Sequence, residues 1–181
     1  MAKNVLVLIG SPRHGGNTEL LCDEFIRGAE TTGANIKKIF IQDYDINYCM
    51  GCSECYKQEK SNCLVFDDDM KLILDEFEKA DVIVFASPVY FYTITGQIKT
   101  VIDRMTPRYQ KFIQKDVYMI VLGITGDEDN LNRAVEDFRG FLDCMPDPVE
   151  KGVLKVTGVW NEGDVKDSSK MKEAYGMGAG V

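Results

Sequence analysis

Long apolar runs are missing from this 181-residue chain. The opening run, Val5 to Ile9, ends after five residues at Gly10. That is too short for a signal-peptide core or a membrane span, so the expectation is a cytoplasmic protein with no membrane partner and with reduced thiols. Excess positive charge is also missing: 21 Lys and Arg stand against 29 Asp and Glu, for a formal net charge of −8. An acidic body repels nucleic acid and anionic lipid, so neither is expected as a bulk partner, although a local basic patch still suits a phosphate. No Gly-Lys-Ser/Thr loop and no GxGxxG occurs, which weakens ATP and dinucleotide readings. The chain has one histidine, His14, read as a solvated loop residue. It has no nucleophile-elbow motif and few suitably placed general bases, so a bound cofactor is expected to carry any chemistry. Repeats, linkers and low-complexity tracts are absent.

What remains is an ordinary globular composition, 45% hydrophobic and 28% charged, long enough for one domain over residues 1–181. Strand-length apolar runs at 4–9, 36–41, 81–86, 117–124 and 153–160 alternate with helical patterns near 17–32, 68–79, 95–106, 129–143 and 166–175. The first, third and fourth runs are nearly continuous Val, Ile, Leu and Phe, as strands buried on both faces of a parallel sheet must be. The second carries Lys37 and Lys38 and is expected nearer an edge. Five such units predict a doubly wound α/β sheet with right-handed crossovers.

Gly10-Ser11-Pro12-Arg13-His14-Gly15-Gly16-Asn17-Thr18 follows the first strand and enters a helix. Glycines allow close backbone approach. Ser11, Asn17 and Thr18 supply polar groups, Arg13 supplies charge, and the helix start adds N–H groups with a partial positive charge. This is the composition of a metal-free phosphate seat; the plainer alternative is a tight turn with a helix cap.

Together with Ser87-Pro88-Val89-Tyr90-Phe91 after the third strand, this loop resembles the NADPH-dependent FMN reductase group of the flavodoxin-like superfamily. The resemblance runs from Val5 to about Tyr175. It implies a sheet order of 2-1-3-4-5 with FMN at the switch point between the first and third strands. FMN phosphate would fall to Ser11, Arg13, Gly16, Asn17 and Thr18, and the flavin ring to Pro88, Val89, Tyr90 and Phe91. Three aromatics in succession, Tyr90 to Tyr92, cannot all face inward, so one at least is expected merely to cover the sheet edge. Thr125 and Gly126, after the fourth strand, lie within reach of a ring there. The neighbouring Asp127, Glu128 and Asp129 equally suit a solvated helix start. The resemblance further implies an oxidoreductase passing electrons from NAD(P)H through FMN to a small-molecule acceptor, as a homodimer or higher homo-oligomer. A carrier of electrons without turnover of its own is the rival from another class.

The segment 42–66 is an unusually long connection. It holds Cys49, Cys52, Cys55 and Cys63 in a C-x2-C-x2-C-x7-C arrangement. Four such thiolates suit a [4Fe–4S] cluster, a zinc ion, or no metal at all. The compact run is similar to that of the iron–sulfur flavoproteins, which implies a cluster relaying single electrons to FMN from a ferredoxin. Cys22 and Cys144 fall in helical patterns and are expected in the core.

Overall fold

The computed structural model describes residues 2–181. The elements run β1 (Asn4–Ile9), α1 (Asn17–Glu30), β2 (Asn35–Phe40), α2 (Glu54–Lys57), α3 (Met70–Lys79), β3 (Val82–Pro88), α4 (Gly96–Asp103), β4 (Asp116–Leu122), α5 (Asn132–Leu142), β5 (Val149–Val156) and α6 (Ser169–Ala179). The strands form one sheet in the order β2-β1-β3-β4-β5. Every neighbouring pair is parallel, so the order expected from the resemblance is the order found.

The patterning explains the layering. In β1, β3 and β4 almost every side chain is buried, because helices cover both faces. Leu6, Leu8, Phe85 and Met119 pack towards α3, α4 and α5. Val5, Val7, Val84 and Ile120 pack towards α1 and α6. The edge strand β2 alternates instead, and its Lys38 reaches Glu19 at 2.6 Å and Asp23 at 2.7 Å on α1. Helices α1 and α6 cross unusually closely. A methyl added at Gly28 would lie 2.1 Å from the Tyr175 carbonyl oxygen, and one at Gly178 would lie 1.9 Å from that of Phe25. No helix among the described residues is long and apolar enough to cross a membrane.

Three expectations need correction. The last strand is Val149–Val156, not 153–160. As the other edge it begins with exposed polar residues that hide it from a hydrophobicity reading, and it ends before the positive-φ turn at Gly158. The fourth strand stops at Leu122, leaving Gly123 and Ile124 in a loop. Cys144 is exposed in the turn after α5, because it continues the register of the exposed Asp137 and Gly140 and not that of the buried Phe138 and Phe141. Cys22 is fully buried, as expected, and burial pushes its thiol pKa up.

Candidate functional site

The carboxyl ends of β1, β3 and β4 open into a cleft lined by Ser11, Arg13, Gly16, Asn17, Thr18, Pro88, Val89, Tyr90, Leu122, Gly123, Ile124, Val159, Trp160 and Glu162. Its floor is fixed by Gly10. The Gly10 amide donates to Ala86 O at 2.8 Å, and its carbonyl accepts from Thr95 Oγ1 at 2.7 Å. A methyl there would sit 2.9 Å from both Ile98 Cβ and Thr95 Oγ1, so only glycine lets the loop lie against β3 and the start of α4.

The loop then turns tightly. Ser11 Oγ accepts from the Arg13 amide at 3.1 Å. Gly16 occupies the N-cap of α1 with no side chain to bond the first-turn amides, which leaves that turn open towards an anion. Glu19 reaches back to the Gly15 amide at 2.7 Å. Burial would raise the Glu19 pKa, but Lys38 and the Gly15 amide more than offset it and hold it low. His14 is exposed, stacks on Phe40 at 3.8 Å and bonds Asp43 at 2.8 Å. This loop residue lies outside the cleft.

On the opposite wall, the Val89 amide donates to Leu122 O at 2.7 Å. Tyr90 and Thr93 then bond each other's backbone in a hairpin turn with Phe91 and Tyr92 at positive φ. Thr93 Oγ1 donates to Asp137, and Arg133 lies over the Tyr92 ring at 5.5 Å. Phe91 projects from the tip, 98% exposed, and does not line the cleft. With Tyr92, Thr125 and Asn130 it borders an adjoining hollow that shares Val89, Gly123 and Ile124. Thr125 Oγ1 accepts from Asn130 at 2.8 Å and from the Asp127 amide at 3.2 Å. Gly126 borders neither hollow. Asp127 caps the following turn by accepting from the Asp129 amide.

One wall is unforeseen in the sequence reading. The segment after β5 folds over the loop of residues 10–18 and contributes Val159, Trp160 and Glu162. Asn17 is its strut: Nδ2 donates to Asn161 O at 2.8 Å, and Oδ1 accepts from the Val165 amide at 3.3 Å. Arg13 Nη1 reaches Trp160 O at 3.4 Å. The available signal was Gly158 and Gly163 bracketing a tryptophan just past a strand, since ligands in open α/β sheets sit outside carboxyl ends of strands.

The four cysteines Cys49, Cys52, Cys55 and Cys63 come together around a second cavity. It is shared with Met50, Gly51, Phe66, Asp103, Arg104 and Pro107 at the far end of α4 from the cleft. Backbone amides approach two of the sulfurs, Gly51 N to Cys49 Sγ at 3.5 Å and Val65 N to Cys63 Sγ at 3.4 Å. Among the described residues, no three Cys, His, Asp or Glu side chains stand close enough for a single metal ion. Burial pushes the Cys55 thiol up.

A five-stranded doubly wound sheet in this order, with a phosphate-type loop and an apolar cleft at its switch point, defines a protein of the flavodoxin-like class. The chain belongs to the NADPH-dependent FMN reductase family, whose model matches residues 3–152. It is similar to an iron-sulfur flavoprotein of Archaeoglobus fulgidus, 40% identical over 100 residues, 55% of this chain and 44% of that one. It is also similar to a putative NAD(P)H-dependent FMN-containing oxidoreductase, YwqN, of Bacillus subtilis, 27% identical over 66% of each chain. The chain spans about half the length of the iron-sulfur flavoproteins it matches. In fold it resembles an NAD(P)H:quinone oxidoreductase from Methanothermobacter marburgensis, with a TM-score of 0.73, 14% identity and coverage of 99% of this chain and 96% of that one.

Proposed function

We propose that this protein is an FMN-dependent oxidoreductase that takes electrons from NAD(P)H and passes them to a small acceptor. The observation that carries the reading is the cleft, which joins a glycine-rich loop at a helix N-terminus to the apolar side chains of Pro88, Val89, Leu122 and Ile124 at the switch point of the sheet. When bound, FMN supplies the acceptance of a hydride and the onward transfer of its electrons. Ser11, Arg13, Gly16, Thr18 and the α1 N-terminus would hold its phosphate, with Asn17 contributing its backbone amide while its side chain braces the wall. Pro88, Val89 and Tyr90 would line one side of the ring, and Leu122, Gly123 and Ile124 would exclude water along its edge. Thr125 would stand near the ring through the adjoining hollow. Phe91 and Gly126 would meet the ring only after the loops that hold them move, so their place is at the rim.

A second reading is favoured by the cysteine cavity: a [4Fe–4S] cluster on Cys49, Cys52, Cys55 and Cys63, filled from a ferredoxin. The donor set fits, since four thiols with two backbone N–H···S approaches border one space. The cluster would supply single-electron relay. The rim of the FMN cleft exposes Tyr90, Phe91, Ile124 and Trp160, and we place a second copy of the chain over it, as a homodimer. All six cysteines are free, which supports a cytoplasmic location.

Anaerobic purification tests these readings together. The expected protein holds one FMN per chain that bleaches on addition of NADPH. Protein that binds no FMN would overturn the proposal. FMN that ignores NADPH but bleaches with reduced ferredoxin, in protein carrying iron and sulfide, would select the second reading.

A further inference from the structure

The cysteine loop poses a folding problem. Between Tyr44 and Asp69 it holds one four-residue helix, α2, and exposes Tyr48, Met50, Cys49 and Cys52. Hydrophobic burial cannot fix a segment with so little of it. Two buried arginines just beyond α4 do so instead. Arg104, 3% exposed, donates from Nη1 to Asn47 O at 2.6 Å and to Asp68 Oδ2 at 2.7 Å, and from Nη2 to Asp68 Oδ1 at 2.9 Å. Asp68 also accepts from the Asn47 amide at 3.0 Å. One guanidinium thus ties the entry of the loop, two residues before Cys49, to its exit, five residues after Cys63. Arg108 anchors the middle. Its Nε donates to Ser61 O at 2.6 Å and its Nη2 to Asn62 Oδ1 at 2.7 Å, beside Cys63, while Nη1 holds Asp75 and Glu78 of α3.

We infer that Arg104 and Arg108 are positioning residues that shape the cysteine loop into a seat for its four thiols before anything binds there. What the seat holds rests on the cluster reading; its shape does not. A general stabilising role explains the geometry less well. Buried ion pairs contribute little net stability against apolar residues of the same size, and here every Arg104 bond, with the Nε and Nη2 bonds of Arg108, goes to an oxygen of the one loop, leaving only Arg108 Nη1 for α3. Every buried polar side-chain atom among the described residues is partnered, so the network is complete and rigid. Its planar fork is a feature lysine cannot copy.

Hydrogen exchange on the full, metal-free chain tests the inference, comparing the wild type with Arg104→Lys, Arg104→Met and Arg108→Lys. Amides of residues 47–68 are expected to exchange at least about tenfold faster in each variant, the factor set by losing one charge-assisted bond. Amides of β1 and β3 should be unchanged. Iron and sulfide reconstitution of the same proteins should leave the variants with less than half the wild-type iron. Unchanged loop exchange in Arg104→Lys and Arg108→Lys would overturn the inference, as would acceleration shared equally by loop and sheet, which marks a merely global role. Faster loop exchange in a chain whose wild type takes up no iron would support the seat and remove the cluster reading alone. Should Arg104→Met fail to fold, the two lysine variants read the same outcome.

Discussion

Asn17→Ala separates two roles that one residue is able to play. The sequence suggests Asn17 as a phosphate ligand, whereas the structure uses its side chain to hold down residues 161–165. Asn17 is 9% exposed and Val165 is fully buried. Truncation therefore strands the Val165 amide, whereas the Asn161 carbonyl, on an exposed residue, keeps the Asp164 amide at 3.3 Å. One buried orphan costs about 1–3 kcal/mol, so the loss should be about 2 kcal/mol. For a chain of this size each kcal/mol lowers Tm by about 2–4 °C, which gives a fall of roughly 4–8 °C in the apoprotein. With the strut gone, the wall of Val159, Trp160 and Glu162 must be ordered by the ligand, so FMN affinity should drop about tenfold, equivalent to about 1.4 kcal/mol. Differential scanning calorimetry and an FMN titration of apoprotein measure the two effects. Asn17→Asp keeps the acceptor for Val165 but sets a negative charge at the phosphate seat. It should retain more of the Tm and lose more of the affinity. An Asn17→Ala apoprotein melting within about 2 °C of wild type, yet failing to bind FMN, would falsify the strut and restore the ligand.

Other expectations follow from single contacts. The Arg13 side chain makes only a long bond to Trp160 O at 3.4 Å, so Arg13→Ala should leave the melt unchanged while weakening FMN by about 1.5–3 kcal/mol; riboflavin, which lacks the phosphate, should bind the variant as it binds wild type, and an equal loss of both would place the phosphate elsewhere. Gly178→Ala puts a methyl 1.9 Å from Phe25 O, and forcing α1 and α6 apart should cost about 3 kcal/mol or more, visible as a lower urea midpoint; an unchanged midpoint would contradict the close crossing. Burial raises the Asp68 pKa, but its bonds to Arg104 and Asn47 outweigh that and bring it down to about 2. Because this folded value lies below the ordinary one of 3.8, its stabilisation of about 2 kcal/mol is present above about pH 4 and disappears as pH falls towards 2. Asp68→Asn should flatten that part of the acid-unfolding profile, and a variant as acid-sensitive as wild type would remove Asp68 from the account.

The fold was readable where burial on both faces left no room for polar residues. In β1, β3 and β4 the apolar runs were continuous, and their limits agree with the structure to within two residues. At the edges the same logic weakened. Strand β2 kept a recognisable pattern because Ile36 on one side and Ile39 and Phe40 on the other flank its two adjacent lysines. Strand β5 starts with Val149-Glu150-Lys151-Gly152, exposed or half-buried, and its first half carries no hydrophobic signal. The misplaced end had a functional consequence, since a strand continued to residue 160 buries Trp160 in the sheet instead of leaving it at the mouth of the cleft.

The site divides in the same way. The loop proposed for the phosphate is a local object: a strand end, glycines and a helix start lie within the nine residues from Gly10 to Thr18, so spacing alone assembles it. The wall held by Asn17 joins positions 144 and 148 residues apart, and the seat held by Arg104 joins positions 36 and 57 apart. No local pattern distinguishes an arginine that serves a distant loop from one on a solvated helix face. For Arg104 and Arg108 the distinction lies in burial, which takes them out of solvent and turns their guanidinium groups to the loop's own oxygens, with Asp75 and Glu78 of α3 completing the set for Arg108. The cysteines could be read as ligands because their chemistry is written in their identity. The residues that would bring them to one cavity could not, because positioning is a property of the fold and becomes visible only when the folded partners of each donor are known.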